Sequence, residues 1–229
     1  MKYITSIWTT ITLCILLLGI RVLDPSLVEQ TRLNSFDQYI RSLPDKESDV
    51  VLLSLGEETL AVYGQYPFPR QTYAQLISDL RNANAGMIAF TLMFPEADRF
   101  GGDEVFISWV KDNGIILAQD ASSRGRSDTA PYVGTATLGA GDAYDFVPKY
   151  KGLVTNIKAL EEVAWGVGLI NAGVEVDNIT RRIPLLSQIN GQLYPAMPLE
   201  IIRVIQDKPS YSLKADLDGI KDVMIPPYE

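Results

Sequence analysis

Residues 86–94 read GMIAFTLMF and residues 114–119 read GIILAQ. Each is a short, nearly unbroken apolar run opened by a glycine, the pattern of a strand buried on both faces of a parallel sheet. Residues 49–56 (DVVLLSLG) have the same character and predict a strand ahead of both. Between these runs, residues 71–84 place Tyr73, Leu76, Ile77 and Leu80 on one helical face. Residues 102–113 do the same with Val105, Phe106, Trp109 and Val110. Strand, helix, strand, helix, strand at this spacing implies right-handed crossovers. The expected class is α/β: a mostly parallel central sheet flanked by helices, with an antiparallel addition.

The addition comes from the second half. Residues 121–143, rich in Gly, Ser, Thr, Ala and Asp, read as a long excursion or a weak hairpin. A short helix is expected over 156–163. Two strands over 166–174 and 182–189 are expected to pair antiparallel across the polar turn 175–180. Asn190-Gly191 marks another turn, and a helix follows over 195–206. Residues 223–229 (VMIPPYE) read as a strand just starting, either a final edge or the beginning of a sequence that continues.

From Tyr3 to Ile20 no side chain is charged, and Lys2 and Arg21 bound the run. With its flanks it reaches about 20 residues, enough for the roughly 30 Å of a bilayer core. A cleaved signal peptide needs a small-residue exit that LGIRVLDP (residues 18–25) does not offer, and a lipoprotein needs a small residue where Leu13 precedes Cys14. A buried core helix is the remaining alternative, and five hydroxyl side chains in the run favour it. The preferred division is a transmembrane anchor over 1–23, touching lipid along residues 4–23, and an extracytoplasmic domain over 24–229, incomplete at its C-terminus. Lys2 favours a cytoplasmic N-terminus. Pro25 then opens a helix whose apolar positions run from Leu27 to Leu43.

The chain of 229 residues has a formal net charge of −8, no histidine and one cysteine, Cys14. Without imidazole there is no Ser-His triad, Cys-His pair, or His-ligated zinc or haem. Without an extended basic cluster, nucleic acid is not an expected partner. No nucleophile elbow occurs, so no catalytic residue, cofactor or metal is assigned.

Three polar groups remain. Tyr66-Pro-Phe68-Pro-Arg70 is a stiff loop after the first expected strand. There Arg70 either holds an anion or closes the loop by pairing with Glu57 or Glu58. Phe94-Pro-Glu96-Ala-Asp98, followed by Gly101-Gly-Asp103-Glu104, offers carboxylates for a hard cation, for helix capping or for hydrolysis. Asp177, Asn178, Thr180, Arg181 and Arg182 make either a solvated hairpin tip or a contact for an anion or neighbouring domain. Loops after successive parallel strands gather at one sheet edge, which should bring Glu57, Glu58, Tyr66, Phe68, Arg70, Glu96 and Asp98 together.

The order of these motifs resembles the type-two CHASE domain, a sensory extracellular module associated with bacterial cyclases and histidine kinases. The resemblance rests on the N-terminal apolar helix, FDQYIR (36–41), VVLLSL (50–55), YPFPR (66–70), IAFT (88–91), Glu96, Asp98, Asp103, GLIN (168–171) and RRIPL (181–185). It departs at Gly56 and Thr91, where the family favours aspartate, and at Tyr66 and Phe68, where tryptophan is common. It implies signal input at a bacterial inner membrane, coupled to a cyclase or kinase output outside this chain. The candidate ligand residues become Glu57, Glu58, Tyr66, Phe68, Arg70, Glu96, Asp98, Asp103, Asn171, Arg181 and Arg182. The expected partner is a small molecule or a periplasmic protein, and a homodimer fits the layout. A structural subunit and an exterior carboxylate hydrolase are the alternatives.

Overall fold

The computed structural model describes residues 7–23, 25–124, 135–139, 141–173, 175–207 and 210–225. The chain forms two compact units, residues 1–54 with 174–181 and residues 55–173 with 182–229.

The first unit contains helices α1 (Ile7–Leu23) and α2 (Ser26–Ser42). Pro25 starts α2 because its fixed φ of −61° suits a helix opening. No residue of α1 is buried. Among the described residues no single helix is long and apolar enough to cross a membrane, and α1 and α2 meet that test only together, as a bent pair. The expected strand over 49–56 is not formed. Residues 50–56 are irregular, and Val50, Val51 and Leu52 are 80, 80 and 89% exposed. β propensity expresses itself only against a pairing neighbour, and this run has none.

The second unit is built on strand β2 (Ile115–Ser122). β1 (Ile88–Phe90) pairs with it in parallel, with Ile88 opposite Ile115. β6 (Gly166–Leu169) pairs in parallel too, with Leu117 opposite Val167. β5 (Gly152–Val154) runs antiparallel to the last three residues of β2. Helices α4 (Arg70–Asn82) and α5 (Asp103–Lys111) share one core with Ile115 and Leu117. Helix α7 (Met197–Ile205) shares the other with Ile116 and Ala118. Alternating β2 side chains therefore bury into two helical layers, as the unbroken apolar run requires. The first core holds an edge-to-face aromatic set in which Phe94 lies 4.9 Å from Phe106 and 5.2 Å from Tyr73, centroid to centroid.

Two smaller sheets complete this unit. β4 (Lys149–Tyr150), β7 (Leu186–Ile189) and β8 (Gln192–Pro195) form one. Its β7–β8 hairpin turns on Asn190 and Gly191, both at positive φ (50° and 79°). β3 (Thr135–Leu138), β9 (Tyr211–Asp216) and β10 (Gly219–Met224) form the other. Of the residues 223–229 read as a strand just starting, Val223 and Met224 end β10, paired with β9, and 226–229 lie outside the described residues. The antiparallel pair expected between 166–174 and 182–189 does not occur: β6 joins β2, and β7 turns to β8. The excursion over 121–143 contains the end of β2, β3 and a capped 3-10 turn at Ala143–Phe146, and its residues 125–134 lie outside the described residues.

Buried Glu200 locks α7. Arg203 donates to both of its oxygens, at 2.6 and 2.9 Å, and the Tyr211 hydroxyl donates to Oε2. Burial, then the Glu200 charge, pushes the Tyr211 phenol well above its ordinary pKa, so it stays a donor. The helix also passes so close to β6 that a Cβ on Gly168 would lie 2.4 Å from the Met197 Cα. Backbone cannot yield as a side-chain tip can, so Gly168→Ala should destabilise the unit by about 3 kcal/mol, the upper end of overpacking costs. Chemical denaturation with an unchanged midpoint would contradict this packing.

Candidate functional site

Arg70 sits at the first position of α4, where Pro69 holds an extended ψ of 147°. The Tyr66–Pro67 peptide of this loop is cis. The Arg70 guanidinium lies 4.4 Å from the centroid of the Phe94 ring, donates to the Glu96 carbonyl at 2.9 Å, and places Nε 3.3 Å from Asp103 Oδ1. Beside it, Asp98 gathers main-chain donors. The N–H groups of Arg70 and Gly102 reach Oδ2 at 3.1 and 3.0 Å, and that of Phe100 reaches Oδ1 at 3.2 Å. The Asp98 N–H in turn donates to Asp103 Oδ2 at 2.8 Å. Burial pushes the Asp98 carboxyl up, but the three N–H donors and the Arg70 charge outweigh it and hold the group below the usual carboxylate range.

The sequence places these residues together correctly, but the geometry makes them a lock. Arg70 chooses Asp103, not Glu57 or Glu58. Glu96 contributes a main-chain oxygen while its side chain stays exposed. Glu57 and Glu58 open the short helix α3 (Glu57–Tyr63), where negative charge suits the helix dipole. Among the described residues, no group of three or more acidic or cysteine side chains is placed to hold a metal ion. Phe68 is buried between Tyr66 and Tyr73, with ring centroids 6.1 and 6.2 Å away, and lines a cleft between α3 and α4.

Asn171 is also structural. Its Oδ1 accepts from the Ala121 N–H, and its Nδ2 donates to Asp120 Oδ1 at 2.7 Å and to the Ala121 carbonyl at 3.0 Å. The side chain thus continues the β2–β6 pairing past Leu169. Sequence reading missed Asn156, which ties three segments. Its Oδ1 accepts from the Phe94 N–H, and its Nδ2 donates to the Ala118 carbonyl and to Glu161. An asparagine just ahead of a short helix was the available signal.

Arg181 makes the densest charged contact. Its side chain is 5% exposed and meets Asp37 of α2 through two hydrogen bonds of 2.8 Å, one from Nε and one from Nη2. Nη1 donates to Glu175 at 3.1 Å and to Asp177 at 3.0 Å, and Nη2 donates to Asp177 at 2.6 Å. The loop is preformed for this: Asp177 Oδ1 accepts from the Ile179 N–H, and Asn178 takes φ of 62°. The Arg181 hydrogen bonds hold Asp177 down to about 2 and hold Asp37 below its usual range. Arg182 is exposed. The expected hairpin tip is therefore an arginine-centred knot that fastens residues 175–181 to α2.

The second unit is a mixed α/β core whose central sheet is mostly parallel. The model of the CHASE2 domain matches residues 11–228, and the chain belongs to that family. CHASE2 is an extracellular sensory domain family, sensory and not catalytic. Neither the curated proteins nor the solved structures hold a match to the chain.

Two outcomes follow from the arginines. Arg70→Ala removes the cation beside Asp103 and the donor to the Glu96 carbonyl and should cost about 2–3 kcal/mol, less than a fully buried pair because Asp103 is partly wet. A melting temperature lowered by roughly 5–10 °C would register that loss; an unchanged one would show that Arg70 does not close the loop. The Asp37–Asp177–Arg181 knot should depend on pH. Depressed carboxyl pKa values contribute stability above the ordinary carboxylate value of 3.8, and this is lost as pH falls toward about 2. Hydrogen-exchange protection in residues 175–181 and α2, measured against the intrinsic rate at each pH, should be constant above pH 4 and fall below pH 3, at roughly 1 unit above the folded value. Arg181→Ala should abolish that transition.

Proposed function

We propose that the chain is the signal-input module of a bacterial membrane signalling protein, with α1 and the apolar residues before it set in the inner membrane and the second unit outside the cytoplasm. The Arg181 knot carries this reading. It joins residues 144 positions apart in sequence, Asp37 on the helix that follows α1 and Arg181 on the segment between β6 and β7. A displacement of that segment reaches α2 through the two charge-assisted hydrogen bonds from Arg181 to Asp37, while three more hold Arg181 to Glu175 and Asp177 of its own segment. Support for the anchor comes from the absence of charge over residues 7–20 and from the exposure of large apolar side chains along α1: Ile7, Trp8 and Leu18 present 71, 74 and 64% of their surface. Apolar side chains at that exposure are stable against lipid and costly against water. The output is a cyclase or kinase joined to this module, and the signal is a small molecule or a periplasmic partner.

The test uses the parent signalling protein in cells. Protease added to intact spheroplasts should remove the region beyond residue 24, and Arg181→Ala should shift the basal output while leaving expression unchanged. Full protection of that region, or an output indifferent to Arg181, removes the reading.

A further inference from the structure

The cleft between α3 and α4 takes no part in either arginine lock. It has a volume of about 350 Å³, at the small end of the range for ligand pockets. Its floor is Phe68 and Tyr73, 3 and 2% exposed, with Leu55, Tyr63 and Leu76 as further apolar walls. Its polar groups are side-chain amides and hydroxyls, such as Gln75 and Thr59, and one charged group, Asp79. No lysine or arginine lines it. Gln75 Nε2 donates to Asp79 Oδ1 at 2.8 Å, and among the described residues no ion pair engages Asp79.

The two walls differ in how firmly they are held. α4 buries Arg70, Tyr73, Ala74 and Ile77, whereas α3 has seven residues and buries none. A helix this short gains its stability from what it packs on. An occupant of the cleft would bridge α3 to α4 and supply the contact that α3 otherwise makes little of.

We propose that this cleft is the ligand site of the sensory domain and that it takes a small molecule with a flat apolar body and a protonated amine, the ring against Phe68 and Tyr73 and the ammonium on Asp79. Charge complementarity selects the amine: an anion meets the Asp79 carboxylate with no cation to offset it, and a sugar finds an apolar floor that satisfies none of its hydroxyls. The inference deepens the reading of the chain as an input module and rests on it.

Phenethylamine, 2-phenylethanol and phenylacetate share one ring and differ in charge, so they serve as probes for the full chain in detergent. Phenethylamine should raise the melting temperature and slow hydrogen exchange in residues 57–63, and phenylacetate should do neither. Asp79→Asn should weaken phenethylamine roughly fivefold, the scale of a solvent-exposed ion pair, and erase its advantage over 2-phenylethanol. Thr59→Trp on α3 and Gln75→Trp on α4 fill the cleft from opposite walls, and each should abolish the response; if one fails to fold, the other decides. A response to phenylacetate equal to that of the amine, retention of binding in a folded Trp variant, or no response to any probe overturns the proposal. Those failures leave protease accessibility and the Arg181 output effect as they were, whereas loss of these two with amine binding intact overturns the input reading instead.

Discussion

The second unit depends on β2 being covered on both faces and paired along both edges. Ile115, Ile116, Leu117 and Ala118 are completely buried, and the strand pairs with β1, β6 and β5. A strand in that position leaves no solvent route for its backbone groups, so each must find a protein partner. Where the ladder ends, side chains take over. Asn156 accepts the Phe94 N–H and donates to the Ala118 carbonyl, and Asn171 pairs with the N–H and carbonyl of Ala121. These asparagines extend the sheet by hydrogen-bonding as backbone does. Their cost of burial is met because their amide atoms are used.

The same constraint explains which parts of the fold were legible. Residues 114–119 are a continuous apolar run because two helical layers cover them, and that pattern reads directly from sequence; residues 86–94 read the same way, but there Ile88, Phe90 and Phe94 are buried while Ala89 and Thr91 are exposed. Residues 49–56 show the same pattern without the pairing. An apolar β-branched run records a preference for a covered sheet site, not the presence of one. The turn at 175–180 was placed correctly but given the wrong neighbours. Polar residues between two apolar runs look like a hairpin, and nothing local reveals that Arg181 is matched to an aspartate 144 residues earlier. Short strands such as β4 and β5, two and three residues long, carry too little periodicity to be seen at all.

The charged residues near the sheet edge illustrate a second limit. Glu96, Asp98, Asp103 and Arg70 do converge, although the strand expected ahead of the Arg70 loop is not formed and Glu57 and Glu58 do not join them. What sequence could not supply is the balance of donors and acceptors. Asp98 accepts three main-chain N–H groups, and Arg70 spends its donors on a carbonyl and its face on a phenyl ring. A carboxylate occupied in this way is poorly placed to coordinate a cation or to take up a proton from a substrate. Phe68 is the one residue of that group which also faces a cleft, because it ends the loop on the side toward α3.

Arg70 and Arg181 are both almost fully buried, yet their partners make them behave differently. Arg70 is surrounded by a carbonyl, an aromatic face, Asp103 and the nearby Asp98, whose carboxylate is held chiefly by main-chain N–H groups. Arg181 gathers Asp37, Glu175 and Asp177, three carboxylates on one cation. These acids repel one another and stay together only while the guanidinium bridges them. Removing the guanidinium therefore leaves three carboxylates facing one another, which makes Arg181 the residue on which the attachment of the 175–181 loop to α2 depends.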